Sequence, residues 1–480
     1  MTWKMASSPT VIGIVQDVTG STVGVMINQD VVGLSFVEGS AYRIGQIGSF
    51  VRIPIGYVSL YGVVCQVGAS AVPQRFADAN LGFQQWMTIQ LVGEGRPSAL
   101  FSRGLSLYPV VGDVVHLVTE QDLRCVYGTL EDPALVAVGR LAGAETLPAM
   151  IDLNKLVVRH SAVLGATGSG KSTTVAALLE SATSPDVYPS SRAVVLDLHG
   201  EYAAALTGRA CVLKAGNGDA DGAELFVPYW AMGADEMLSV TFGPLDGRDR
   251  AMVLDRVAEM KRASLETTPR AGVTAQTVTA DSPVPFSIHA LWLDLHAEVN
   301  ATHTKEGTGQ TPETRAYLLD DDGQPVQRGD AMNVIAPRFR PQDLSAQANP
   351  KVWLSGSKLT IRRQLDQLAT RLRDRQLSFL FGQSPWLPDV NGAVTADLDA
   401  LLEGWVGGPN PITILDVSGI PTSILDVALG AMLRILYDGL FWARNLSEGG
   451  RERPVLLVLE EAHAYLREGT SGLAAAMVQR

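Results

Sequence analysis

The sequence predicts an α/β core of mostly parallel, helix-covered strands built around a phosphate-binding loop, interrupted by a helical insertion and preceded by a small all-β barrel domain. Three observations carry that expectation. Residues 165–172 read G-A-T-G-S-G-K-S and fit the pattern G-x-x-x-x-G-K-[ST] at every fixed position. Apolar runs at 162–164, 193–198, 412–417 and 455–459 alternate with helical stretches, the pattern of a parallel sheet covered by helices. Short apolar segments separated by Asp, Gly and Ser occupy residues 10–119, as in a small closed barrel.

Taken in order, the barrel strands are expected at 11–15, 23–27, 49–53, 61–67, 88–92 and 114–118, within a domain spanning 1–125. Residues 126–150 read as a connector, with 136–141 as one more strand. The core begins at 151–232, where a buried strand at 162–164 leads through the glycine loop into a helix at 173–181. Residues 233–384 form the helical insertion, with helices at 248–265 and 359–381 whose apolar residues recur every three or four positions. Polar stretches at 266–285 and 302–330 interrupt these helices, and the second is expected to be a long flexible loop. The core resumes at 385–480. Its most apolar stretch, 427–443, is broken by Arg434 and Asp438. It reads as a buried amphipathic helix, because a bilayer span needs about 20 unbroken apolar residues.

Composition narrows the function. A chain of 480 residues, 46% hydrophobic and 18% charged, is globular rather than disordered. A net charge of −12 argues against a basic surface that coats nucleic acid, although a few Lys and Arg lining a channel can act locally. Cys65, Cys125 and Cys211 are widely separated and show no zinc spacing, and the seven histidines form no metal motif. The N-terminus lacks the apolar core of a signal peptide, so a cytoplasmic location is expected.

The glycine loop has a chemical reason for its composition. A helix N-terminus offers free backbone N–H groups and the positive end of its dipole to phosphate oxygens. Gly168 and Gly170 permit close backbone approach and positive φ, with Gly165, Thr167, Ser169 and Thr173 completing the cradle. Lys171 reaches the β- and γ-phosphates of ATP, and the Ser172 hydroxyl is suited to Mg²⁺. Hydrolysis also needs a carboxylate near the metal and another that positions water. Two strand ends compete for these tasks: Asp416, and the pair Glu460-Glu461. The pair is favoured, since adjacent acids can divide the work, Glu460 in the metal shell and Glu461 orienting the attacking water. Asp416 is then a turn-capping residue beside Ser418 and Gly419.

Other residues carry two readings. Arg362, Arg363, Arg371, Arg373 and Arg375 either contact DNA phosphate or a neighbour's nucleotide, or form a solvated helix face balanced by Asp366 and Asp374. Asp197, His199 and Glu201 follow an apolar strand and either touch the metal or fix a turn. His160 is expected to make a structural hydrogen bond, and His463 either senses nucleotide or is exposed on a helix.

Four blocks together resemble a known family. H-S-A-V-L-G leading into A-T-G-S-G-K-S-T-T at 160–174, V-L-D-L-H-G-E-Y at 195–202, I-L-D-V-S-G at 414–419 and V-L-E-E-A-H at 458–463 are similar to HerA-type ATPases of the HerA/FtsK branch of P-loop motors. That resemblance implies a RecA-like core, an N-terminal barrel of the type found in rotary ATP synthase subunits, a homohexameric ring, and ATP- and Mg²⁺-dependent movement along double-stranded DNA. It implies a partner effector, either a nuclease in DNA-end processing or a sirtuin-type NADase or nuclease in bacterial anti-phage defence. Residues 277–286 and the large insertion look more like the defence-associated members. Two departures stand out. Glu460 occupies a position where many P-loop motors have Asp, which shifts its carboxylate by one methylene. The γ-phosphate sensor and the arginine finger of the family have no counterpart up to Arg480, so the second part of the core is expected to be truncated. An alternative of a different class is a nucleotide-controlled scaffold that assembles an effector without processive translocation. No lid or acceptor motif supports a small-molecule kinase.

Overall fold

The computed structural model describes residues 8–28, 33–37, 40–68, 85–96, 99–127, 133–141, 144–216, 223–445, 451, 453–464 and 472–478. The chain divides into two compact units, Met1–Ala182 and Thr183–Arg480.

The first unit opens with β1 (Val11–Thr19), β2 (Thr22–Ile27), the small hairpin β3 (Leu34–Val37) and β4 (Ser40–Arg43), then β5 (Phe50–Ile55), β6 (Val58–Val67), β7 (Trp86–Arg96), β8 (Ala99–Arg103) and β9 (Val114–Leu117). The order β2-β1-β9-β5-β6-β7 is closed by antiparallel pairing of β2 with β7, giving the expected barrel with β8 on its rim. Alternation along β7 turns Met87, Ile89 and Leu91 inward against Val25, Ile53, Leu60 and Val115. Gly62 marks a bulged register on β6, where a Cβ would lie 2.3 Å from the Ile89 side chain.

After the barrel come helix α1 (Glu120–Tyr127), the hairpin β10 (Leu135–Leu141) and β11 (Ala144–Asp152), and α2 (Leu153–Val157). The strand expected at 136–141 is β10. Its partner β11 escaped the pattern because Pro148 and Glu145 break its apolar run. Helix α3 (Lys171–Ala182) follows the glycine loop and packs against β10 through its buried side.

The strand expected at 162–164 is not formed. Residues 158–169 are exposed, Leu164 to 90%, and lie outside any strand. Three apolar residues between Arg159-His160-Ser161 and a glycine loop do not make a strand by themselves. Backbone pairing to a neighbour does, and 162–164 have no ladder partner among the described residues.

The second unit carries a five-stranded, wholly parallel sheet. Its strands are β12 (Arg192–Asp197), β13 (Ala210–Lys214), β14 (Ala223–Glu224), β17 (Ile412–Asp416) and β18 (Val455–Leu459), in the order β14-β13-β17-β12-β18. The central strands read R-A-V-V-L-D and I-T-I-L-D and are buried nearly end to end, as parallel strands covered on both faces are. The short strands β15 (Thr302–His303) and β16 (Trp353–Leu354) pair with each other in the insertion. Helices α4 (Tyr202–Ala205), α5 (Ala234–Thr241), α6 (Gly247–Thr267), α7 (Ile288–Asn300), α8 (Arg362–Arg373), α9 (Ser378–Phe381), α10 (Leu398–Leu402), α11 (Thr422–Trp442) and α12 (Leu473–Val478) complete it. The insertion is not an appendage. Trp292, Phe286 and Phe379 belong to the same apolar core as Val194, Leu196 and Leu415 of the sheet.

Residues 302–330 are ordered by backbone pairing rather than flexible. Tyr317 bridges Phe339, Leu319 bridges Pro325, and Asp330 bridges Ile335. The polar composition misled because these pairings join residues far outside a helix or strand period. The stretch 427–443 lies within α11, whose Ala428, Leu429, Met432 and Leu436 are buried. Among the described residues no helix is long and apolar enough to cross a membrane.

Candidate nucleotide-binding site

The glycine loop is a turn that ends at the first residue of α3. Gly168 and Gly170 have φ of +79° and +89°, values open to glycine at little cost. A Cβ on Gly165 would lie 2.3 Å from Ser169 Oγ, so a side chain there would require the Ser169 hydroxyl to turn away. The turn is tied by Ser169 N–H donating to the Ala166 carbonyl at 3.1 Å, and by Thr174 N–H donating to the Gly170 carbonyl at 2.8 Å. Lys171 Nζ donates to the Ala166 carbonyl at 3.4 Å, folding its ammonium back over the loop. No acidic residue lies in the first turn of α3. Its N-terminal N–H groups, Lys171 and the half-buried Ser172 therefore present donors and positive potential to an anion, which fits the phosphates of ATP. His160 is exposed and its ring makes no hydrogen bond to a described residue, so the structural bond expected of it is absent.

In the second unit, the carboxyl edge of the parallel sheet carries a row of charges. Lys214 is in register with Asp416, Asp416 with Asp197, and Glu460 follows Leu459, the partner of Leu196. Side chains from β13, β17, β12 and β18 thus line up where parallel sheets present ligand crevices. Lys214 escaped sequence reasoning, although its position at the end of the apolar run 210–213 was a usable signal.

Asp197 fixes a turn. It is fully buried, its Oδ1 accepts from the N–H groups of His199, Gly200 and Glu201 at 3.1, 2.7 and 3.3 Å, and its Oδ2 accepts from Tyr202 at 3.0 Å. Of the two readings of 197–202, turn fixing is the one its bonds support. Gly200, with φ +73°, sits so that a Cβ would lie 3.5 Å from Asp416 Oδ2. Asp416 accepts from Ser418 N–H at 3.0 Å, the capping role expected of it, and Lys214 Nζ stands 4.0 Å from its other oxygen.

Glu460 turns back into its own sheet. Its Oε2 accepts from Leu198 N–H at 2.8 Å and His199 N–H at 3.2 Å, and its carboxyl shares a hydrogen bond with Asp197. Burial, then the bond and charge of Asp197, push the Glu460 pKa up to about 8, against the smaller lowering effect of the two N–H donors. The buried corner and the neighbouring Asp197 carboxyl thus favour the protonated form of Glu460. Glu461 is different. Its side chain is partly exposed and Oε2 lies 2.9 Å from His463 Nδ1. Its φ of +43° is one of two positive values at non-glycine residues among those described. Such backbone costs roughly 1–3 kcal/mol and recurs at functional sites. The helix expected around His463 is a single 3-10 turn, Ala462–Ala464.

Among the described residues no three His, Cys, Asp or Glu side chains are grouped to hold a metal unaided. Mg²⁺ bound with a nucleotide takes most of its ligands from phosphates and water, and would neutralise phosphate charge; the Ser172 hydroxyl at the start of α3 is an oxygen donor of the kind its shell accepts.

The basic helix is partly spoken for. Arg371 donates to the Ser239 and Thr241 carbonyls at 2.8 and 3.1 Å, and Arg373 donates to the Val334 carbonyl. Arg362 and Arg363 remain exposed.

The fold and the loop define a class, the α/β phosphate-loop proteins. Within it, residues 136–436 match the family model described as "Helicase HerA, central domain", and the chain belongs to that family of HerA-type ATPases. It is similar to the DNA double-strand break repair helicase HerA of Sulfurisphaera tokodaii, 38% identical over 96 residues that cover 20% of this chain and 17% of that protein. It is also similar to a probable helicase of Methanocaldococcus jannaschii, 34% identical over 94 residues covering 20% of this chain and 17% of the relative. The helicase HerA of Pyrococcus furiosus is 35% identical over 91 residues, 19% of this chain and 15% of that protein. The matched stretches thus span under a fifth of each curated relative.

Proposed function

We propose that the protein is a Mg²⁺-dependent ATPase that works as a homohexameric ring and moves along double-stranded DNA, in the cytoplasm, together with an effector protein. The observation that carries this reading is the glycine loop opening directly into a helix whose first turn is free of acids, in a chain of the HerA family. Gly165, Thr167, Gly168, Ser169, Gly170, Lys171, Ser172 and Thr173 bind ATP, with Lys171 on the β- and γ-phosphates. Ser172 and Glu460 serve the metal, and Glu461 orients the attacking water from its strained backbone position. The domain limits proposed are a barrel at 1–125, a connector at 126–150, core segments at 151–232 and 385–480, and the insertion at 233–384.

The relatives named for double-strand break repair support action on DNA. For the effector, a nuclease or a sirtuin-type NADase, and for an anti-phage role, the support is the resemblance of the insertion alone.

The test is steady-state ATP hydrolysis with and without linear duplex DNA. Turnover should require Mg²⁺ and rise with duplex. Lys171→Ala should weaken ATP binding about 10- to 100-fold, the worth of one charge-assisted contact. A Lys171→Ala or Glu461→Gln protein that hydrolyses ATP at the normal rate would overturn the assignment. If duplex leaves the rate unchanged while hydrolysis-dead protein still activates an effector, the scaffold reading replaces the motor.

A further inference from the structure

The segment once expected to be a loose loop builds a cavity. Against helix α7, the chain passes through 315–319, returns through 325–328, and returns again through 337–340. Leu318 N–H donates to the Arg338 carbonyl at 2.9 Å, Val326 N–H to Leu318 at 2.8 Å and Arg338 N–H to Gln327 at 3.0 Å. Between this pleat and α7 lies a pocket of about 320 Å³ whose walls include Leu293, Asp294, Arg315, Tyr317, Arg328 and Pro337. Gly329 lets the wall close. Its φ is +92°, and a Cβ there would lie 2.9 Å from Leu293 and 3.1 Å from Pro337, both lining residues.

The two arginines of this pocket have no carboxylate within ion-pair distance among the described residues. Arg315 and Tyr317, two apart on an extended segment, share a face. Arg328 is held over the Tyr317 ring at 5.7 Å, and Phe339 packs on that ring at a centroid distance of 5.2 Å. Neither guanidinium makes an ion pair or a side-chain hydrogen bond with a described residue. Arg315 is felt electrostatically by Glu313 and His303 but reaches neither as a pair. Asp294, the acid in the wall, is already paired with Arg256 at 3.4 Å. Two planar forks without an anionic partner, beside apolar walls, ask for a dianion with several terminal oxygens on a compact organic body. A carboxylate has too few oxygens to receive both forks bidentately, whereas a phosphate monoester has three.

We propose that this pocket binds a phosphate monoester of mononucleotide size, either a free nucleoside monophosphate or the terminal 5′-phosphate of a strand. Arg315 and Arg328 grip the phosphate, Tyr317 and Phe339 hold Arg328 in place, and Leu293 and Pro337 cover the body. The site is independent of the glycine loop and of the motor reading.

The test is calorimetric titration of the full chain carrying Lys171→Ala, which removes the loop's phosphate contact. The probes are AMP, inorganic phosphate, benzoate, and an oligonucleotide with or without a 5′-phosphate. AMP should bind, benzoate should bind at least about tenfold more weakly, and Arg315→Gln with Arg328→Gln should weaken AMP at least about tenfold. Arg328→Lys keeps the charge but loses the fork, and should weaken AMP while circular dichroism stays unchanged, which guards against a misfolded double variant. Tighter binding of the 5′-phosphorylated strand than of its hydroxyl form would assign the strand end, and binding of AMP alone would assign a free nucleotide. AMP affinity unchanged by the arginine substitutions, no AMP binding, or benzoate binding as tightly as AMP would overturn the proposal.

Discussion

Glu460 and Glu461 are neighbours in sequence and opposites in chemistry. Glu460 faces Asp197 and two backbone N–H groups in a buried corner, with its pKa raised to about 8; Glu461 stands partly exposed on strained backbone beside His463. Because the folded-state value of Glu460 lies above its unfolded one, the folded protein binds the extra proton. Its stabilising contribution is complete below about pH 4.5 and fades as pH rises toward 8. Glu460→Gln keeps a donor for Asp197 without titrating. The melting temperature of this variant should therefore vary less between pH 5 and 8.5 than that of the parent, as read by differential scanning fluorimetry. Glu461→Gly should abolish hydrolysis while leaving the melting temperature equal or higher, since glycine adopts φ +43° without the strain. A marked loss of stability would show that Glu461 holds the fold rather than the reaction.

Among the elements, α6 carries the most demanding contact of the insertion. Lys261 is 1% exposed, and its ammonium donates to the Ala280 and Ser282 carbonyls at 2.6 Å each and to Trp230 at 3.5 Å, beneath the Phe286 ring. Burial pushes its pKa down to about 7, with Asp281 opposing. The bonds tie α6 to the polar stretch 266–285, and this explains how that stretch is ordered without regular structure. Lys261→Met fills the space but strands the carbonyls. Urea unfolding should show a loss of about 1–3 kcal/mol, the cost of unsatisfied buried acceptors. A second tie joins α8 to the turn at Val334, whose φ of +52° is held by the Arg373 bond to its carbonyl. These bonds give Arg371 and Arg373 a structural role within the fold. Substituting Arg362 and Arg363 together should therefore be nearly neutral for stability, whereas Arg373→Ala should lower it, a contrast that thermal melts can read.

At the scale of the molecule, the barrel and the sheet meet opposite problems of strand edges. The barrel solves its own by pairing β2 with β7. Among the described residues the sheet ends on β18, whose Leu457 is 40% exposed, with β12 as its one neighbour. With a net charge of −12, the duplex binding proposed for this chain would rest on local basic residues, so it should fall steeply with salt while ATP affinity changes far less. Fluorescence anisotropy at about 50 and 200 mM salt checks this. Mass photometry with ATP should find six chains of 51.2 kDa in one particle; a monomer under all nucleotide conditions would remove the ring from the proposed function.

The glycine loop, the barrel strands, the two central strands and the long helix α11 were legible because each is written locally: a fixed motif, a period of two, an unbroken apolar run, a period near 3.6. The sequence by itself also determined the family, since four short blocks stand in a fixed order. What it did not decide depends on partners remote in the chain. The run 162–164 looked like a strand but found no ladder, and 302–330 looked loose but found several. Asp197 and Glu460 are 263 positions apart in number, yet their carboxyls are hydrogen-bonded because parallel pairing of β12 with β18 sets them side by side. Charge state, strain and cavity shape are properties of such long-range neighbours. Only the tertiary structure creates them, because burial and pairing act through space rather than along the chain.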